Sequence, residues 1–384
     1  MSSYKKHYSN FINQNPACLH FAAHSHHFWP DCTRQAQLDY WDDSAKFVDE
    51  KWSYFFNKKL AQLKSKIAKE IGHNRPNQIV FAPNTHEFVL RILSCLPLGS
   101  KPKILTTDSE FYSFSRQLSR LEEDNEIDVT YIPTNPIHTF EQRFIEASHN
   151  NYDLIFCSHV FFNSGYAIQD LNSFVSSLPE QTFKVIDGYH AFMALPIDLN
   201  KLTDKIFYIG GGYKYAQAGE GICFMSIPFG LGLRPRNTGW FAQIGSLGAE
   251  PDRVAYSNDG MSFAGATMDF TGAYRLLSVF NLYSKEDIST LKIHSHVIAL
   301  QLYFIDKLSK AHHAVLKTNR ILWDDNLDHG HFLTFECDSE IEASTCASDL
   351  KSNNIIVDYR GNCLRFGFAI YHDKSDIDEL IRRI

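Results

Sequence analysis

Apolar and polar positions divide the chain into three differently patterned stretches. Between 78 and 226, short apolar runs recur at 78–82, 103–106, 129–132, 154–157, 184–186, 205–209 and 221–226, with helical or loop segments between several of them. Strands that alternate with helices wind into a mostly parallel sheet. The last two runs lie close in sequence and predict an antiparallel pair at one edge. Upstream, 33–71 is a long amphipathic stretch that Gly72 and Pro76 interrupt. After Met268 a long helix-like stretch runs from Asp269 to near Leu308. Strand-like 332–335, a helix near 343–352, strand-like 355–358 and 363–368, and a closing helix from Lys374 follow.

The pattern predicts an α/β fold with a large wound domain at 51–270 and a small α+β domain at 271–384. The segment 1–50 is expected to pack with the small domain and the active site. A chain of 384 residues exceeds what one compact core ordinarily holds, which supports the division. The net charge of −7 gives no basic field for nucleic acid. No stretch is long and apolar enough to span a bilayer, and 1–10 lacks a signal-peptide core. The eight cysteines form no Cys-x-x-Cys pair and read as reduced thiols. A cytoplasmic protein is expected.

Candidate chemistry concentrates between 185 and 221. Val185-Ile186-Asp187-Gly188-Tyr189-His190 is a strand opening into an acidic loop, and Gly211-Gly212-Tyr213-Lys214-Tyr215 follows the next apolar run. Both loops open at carboxyl ends of strands, where wound sheets bind ligands. A strand-terminal Asp or a loop Lys is ordinary by itself. Together they supply two groups that pyridoxal 5′-phosphate requires: a lysine for the imine and a carboxylate beside the pyridine nitrogen. His190 is placed to contact the ring or its phenolic side.

These residues carry a resemblance. Asp187-Gly188-Tyr189-His190-Ala191, then Gly212-Tyr213-Lys214-Tyr215-Ala216-Gln217-Ala218-Gly219-Glu220-Gly221, is similar to the cofactor core of the class V aminotransferases, and most similar to kynureninase. Arg234-Pro235-Arg236-Asn237-Thr238-Gly239-Trp240-Phe241, Phe263-Ala264-Gly265-Ala266-Thr267 and Leu364-Arg365-Phe366-Gly367 extend it in the family's order. The resemblance implies the aspartate-aminotransferase fold (pyridoxal-phosphate fold type I) and a homodimer with shared active sites.

It also implies roles. Lys214 would form the imine and move the α-proton, and Asp187 would pair with the pyridinium. Asn84 and Thr85 would form the first phosphate turn, Phe111 would stack on the ring, and Tyr213 would donate to the phosphate. Trp240 and Thr267 would reach the neighbour's phosphate. Arg365, with Arg360 as runner-up, would hold an amino acid's carboxylate. Apart from the resemblance, His26 and its neighbouring histidines are expected to line the substrate pocket or pack beside Trp29.

Read alone, Asn84 and Thr85 are equally an ordinary helix cap, and Phe111 a core aromatic. Kynurenine cleavage at Cβ–Cγ is the leading expectation and transamination the alternative. A third reading, cysteine desulfurase or lyase, needs a mobile catalytic thiol on the small domain. Cys337 and Cys346 are its positional candidates. A fourth takes His24, His26 and His27, at alternating strand positions, as metal ligands.

Overall fold

The computed structural model describes residues 4–97, 99–246, 253–323 and 327–384. Its strands are β1 (Leu19–His20), β2 (Ile79–Ala82), β3 (Lys103–Thr107), β4 (Asp128–Ile132), β5 (Leu154–Ser158), β6 (Phe183–Asp187), β7 (Phe207–Gly211), β8 (Cys223–Ser226), β9 (Phe332–Glu336), β10 (Ile355–Ile356), β11 (Asp358–Arg360) and β12 (Cys363–Gly367).

Among the described residues one sheet takes the order β2-β8-β7-β6-β5-β3-β4. Every apolar run expected between 78 and 226 is a strand of it. β3 to β7 run parallel, and β8 is antiparallel to both neighbours. The antiparallel pair expected from 205 to 226 is therefore present but not at the edge, because β2 pairs outside β8. β5, β7 and β8 are buried at every position, as strands covered on both faces must be. Phe114, from the helix Tyr112–Glu123, stacks on Phe156 of β5 at 3.6 Å and 11°.

Two helical expectations are corrected. The stretch 269–308 is two helices, Thr271–Lys285 and Thr290–Ser309. Asp287 turns left-handed between them (φ 51), and the Ser289 side chain caps the second by accepting from the Lys292 amide. The stretch 33–71 breaks after Cys32–Phe47, where Val48 takes φ 48; an α-helix resumes at Lys51–Tyr54, widens into a π-helical turn at Phe55–Leu60 and tightens again at Ala61–Glu70.

Beyond 330, β11, β12 and β9 form a small antiparallel sheet. The amino-terminal β1 pairs parallel with β10, matching Leu19 to Ile355 and His20 to Ile356. Phe21 and Ala22 then run beside Gly367 at the end of β12. This pairing delivers the turn that follows β1 to the mouth of the large sheet.

Candidate active site

β5, β6 and β7 are parallel, so their carboxyl ends open on one side. Ser158, Asp187 and the loop after Gly211 meet there. The backbone crowds closely at this rim. A Cβ at Gly188 would fall 2.0 Å from the Tyr208 hydroxyl, so only glycine lets the chain turn directly after Asp187. A cavity of about 250 Å³ results. Its walls include Asn84, Thr85, Phe111, Asp187, His190, Tyr213 and Lys214, seven of the residues expected from the sequence.

Lys214 donates from Nζ to the His24 carbonyl at 2.8 Å. Nζ also lies 6.0 Å from the centre of the Phe111 ring and 5.8 Å from that of Tyr213. Burial, reinforced by the cationic Arg365, lowers its amine to about 7. Asp187 accepts from the Tyr189 amide at 2.9 Å, and burial lifts its carboxyl to about 6. A buried carboxyl lifted in this way suits a site that receives a cationic N–H, which would return it to the carboxylate. Neither ring nitrogen of His190 has a partner within the chain, although the residue is buried against the cavity. Buried imidazoles ordinarily find partners, so His190 is left with bonds to give.

Asn84 caps the helix Thr85–Leu93, its side chain accepting from the Glu87 amide at 3.1 Å. The helix N-terminus faces the cavity and suits an anion. The acid directly before Phe111 has no role assigned from the sequence. Buried Glu110 accepts from Thr107 Oγ1 at 2.8 Å, from the Ser158 amide at 3.1 Å and from Ser158 Oγ at 2.5 Å. It joins the ends of β3 and β5 beneath the cavity, and burial raises it to about 7. The residues thus fit pyridoxal 5′-phosphate: an amine, an acid for the ring nitrogen, an unpartnered imidazole, an aromatic face and an anion cradle share one cavity.

Other expected residues stand apart from the cavity wall. Arg365 is 3% exposed and tied to Asp358, with Nε to Oδ1 at 2.9 Å and Nη2 to Oδ2 at 2.6 Å. Its Nη1 donates to the Phe162 carbonyl, and Phe162 does line the cavity. Arg360 is more exposed, with Nη2 3.8 Å from Asp358 Oδ2. Trp240 Nε1 donates to Thr267 Oγ1 at 3.1 Å on the surface. His26 is exposed in a turn, its ring 5.6 Å from that of Tyr213.

The histidine cluster is not on a strand. It lies in and after a turn, and its side chains diverge. His24 bonds Asp358 through Nε2 at 2.7 Å, whereas His27 bonds the Phe28 carbonyl through Nδ1 at 2.6 Å. Among the described residues no group of three or more His, Cys, Asp or Glu is placed to hold a metal ion.

No cysteine lines the cavity among the described residues. Cys337 and Cys346 are buried in and beside the small sheet, and burial lifts their thiols to about 11 and about 12. Cys223 donates to Tyr189 Oη at 3.4 Å behind the cavity and is likewise lifted to about 12.

Fold and site together define a pyridoxal-phosphate enzyme of fold type I. The class V aminotransferase family matches residues 30–380, and the chain belongs to that family. A curated cysteine desulfurase of Wigglesworthia glossinidia brevipalpis is 26% identical over 173 residues, 44% of this chain. The match spans 42% of that relative's length.

Among solved structures, a lysine-to-alanine mutant of C-DES with glycine linked to its pyridoxal phosphate superposes with a TM-score of 0.84 at 16% identity, covering 100% of this chain and 99% of that one. The cystine C–S lyase C-DES with its product cysteine persulfide gives 0.83 at 17%, over 97% and 98%. A cysteine desulfurase of Thermococcus onnurineus NA1 gives 0.79 at 17%, over 100% and 99%.

Proposed function

We propose that this chain is a lyase that breaks the Cβ–S bond of cysteine or a related thio-amino acid. Pyridoxal phosphate, when bound, supplies an electrophilic carbon for the substrate amine and a ring that takes up negative charge from Cα. The remaining work falls to the chain. Lys214, its amine near neutrality, takes the α-proton. Asp187 holds a proton on the ring nitrogen. Phe111 and His190 fix the ring from its face and its edge, and the helix starting at Thr85 receives the phosphate. Arg365 receives the substrate carboxylate.

The observation that carries this reading is the burial of the two candidate thiols, Cys337 and Cys346, which lifts them to about 11 and about 12. A desulfurase that passes sulfur to its own cysteine needs a reachable, ionisable thiol. Here the sulfur leaves into the cavity instead. The named relatives, desulfurases and a C–S lyase, favour sulfur chemistry over kynurenine cleavage. The balance is cysteine plus water giving pyruvate, ammonia and hydrogen sulfide.

The test is to incubate the loaded enzyme with cysteine, cystine and kynurenine, and with alanine plus a 2-oxo acid. Pyruvate and sulfide in equal amounts are expected from cysteine. Anthranilate from kynurenine would restore the kynureninase reading, and amino-group exchange without sulfide would make the chain a transaminase.

The same reading makes the enzyme a homodimer. Trp240 and Thr267 are exposed and bonded to each other away from their own cavity, as residues that serve a neighbour's phosphate would be.

A further inference from the structure

His24 is 0% exposed and touches both halves of the site. Its carbonyl accepts from Lys214 Nζ at 2.8 Å, and its ring reaches Asp358 Oδ1 at 2.7 Å. Asp358 in turn holds Arg365 by two hydrogen bonds. One residue of the amino-terminal turn therefore stands between the lysine and the arginine.

The chain is built around this ring. Phe332 stacks against it at 4.8 Å and 25°. Gly367 leaves room for it, since a Cβ there would come within 2.2 Å of His24 Nδ1. The Gly367 amide donates to the Phe21 carbonyl at 2.6 Å, which fastens the strand leading into the turn. Within the turn, the Ser25 and His26 amides both donate to the Ala22 carbonyl. With the backbone pinned before the turn and the ring pinned by Asp358, the direction of the His24 carbonyl is determined.

We propose that His24 is a positioning residue that couples Arg365 to Lys214. Its carbonyl is the acceptor that holds the lysine amine whenever that amine is released from the cofactor. Its ring makes the carbonyl's position depend on where Asp358 sits. A carboxylate arriving at Arg365 competes with Asp358 for the same guanidinium, so occupancy of the arginine is transmitted through Asp358 and His24 to the lysine. This rests on the reading that Arg365 receives the substrate carboxylate.

The test uses the cofactor-loaded enzyme and two substitutions. His24→Phe keeps a ring to stack on Phe332 but cannot bond Asp358, whereas His24→Gln keeps a donor. Two quantities are read: KM against kcat for cysteine, and the pH midpoint of the cofactor's absorbance, which reports the bond to Lys214.

His24→Phe is expected to raise KM about tenfold and to shift the midpoint, and His24→Gln to stay within about threefold of wild type. Asp358→Asn should add little to His24→Phe, since both cut one chain of contacts. An unchanged midpoint and KM in His24→Phe, or losses that multiply in the double variant, overturn the coupling. If wild type fails to bind any amino acid, the functional reading fails, while the midpoint still tests His24 without a substrate. If His24→Phe does not fold, His24→Gln against Asp358→Asn gives the same comparison. Equal midpoints in those two and wild type overturn the proposal.

Discussion

Arg365 presents Nε and Nη2 to the two carboxylate oxygens of Asp358, at 2.9 and 2.6 Å. This is a fork-on-fork pair in a nearly dry setting, and such geometry belongs to arginine alone. It neutralises Arg365 and fixes its plane. Burial alone would raise the Asp358 carboxyl, but His24 first and then Arg365 pull it well below the usual carboxylate range.

The first prediction follows from that fork. Arg365→Lys keeps the charge and loses the two-point contact, both to Asp358 and to an incoming carboxylate. Apparent binding of cysteine should weaken by about 1.5–3 kcal/mol, the worth of a hydrogen bond to a charged group. Arg360→Lys should cost less, because Arg360 is more exposed and lies 3.8 Å from Asp358. Spectral titration of both variants decides. Wild-type binding by Arg365→Lys, or a larger defect in Arg360→Lys, would exchange their roles.

The second prediction concerns pH and the cofactor-free protein. Lys214 is lowered from 10.5 to about 7. Between those values the unfolded chain binds a proton that the folded chain does not, so this group makes stability rise with pH. Below about 7 its full penalty applies. Asp187, raised from 3.8 to about 6, acts oppositely and makes stability fall as pH climbs through its own window. Lys214→Met removes the first effect. Its stability advantage over wild type, measured by urea unfolding, should be largest near about pH 6.5 and shrink toward about pH 9.5. A constant difference would mean that the amine titrates normally in the fold.

Much of this was legible in the sequence, for identifiable reasons. Strands buried on both faces must be continuously apolar, so the runs from 78 to 226 announced the sheet. Asp187, His190, Tyr213 and Lys214 sit in two short motifs at strand ends, where local sequence and site coincide. The helix break at Asp287 was invisible because a left-handed surface residue leaves no mark in hydropathy. Glu110 has no role legible in its local sequence because its partner Ser158 lies 48 positions away. The His24–Asp358 bond spans 334 positions and is created by the pairing of β1 with β10, which no local pattern encodes. The alternating spacing of the histidines suits strand positions, yet the chain turns there.

The third prediction separates direct elimination from sulfur transfer onto the enzyme. Cys337 and Cys346 have thiols raised to about 11 and about 12, so they are protonated at neutral pH and poor nucleophiles. Replacing both with alanine should leave the rate of pyruvate formation from cysteine within about twofold of wild type, with a modest fall in stability from the buried cavities. Loss of turnover in a variant that folds and keeps its cofactor would restore a protein-bound sulfur intermediate.

The last prediction joins cofactor retention to assembly. Trp240 bonds Thr267 at 3.1 Å and remains exposed, and neither residue lines the cavity of its own chain. In a dimer with shared sites, Trp240→Ala removes a contact to the neighbour's phosphate without opening a hole in its own core. Cofactor affinity should then fall about tenfold, the worth of roughly one charge-assisted hydrogen bond, while the unfolding midpoint of the cofactor-free protein stays near that of wild type. Dilution is the second arm. If the neighbour completes each phosphate site, cofactor should dissociate over the concentration range in which the dimer separates, as followed by light scattering and cofactor absorbance together. A monomer that retains full cofactor, or a Trp240→Ala variant with unchanged retention, would leave Trp240 and Thr267 without a role across the interface.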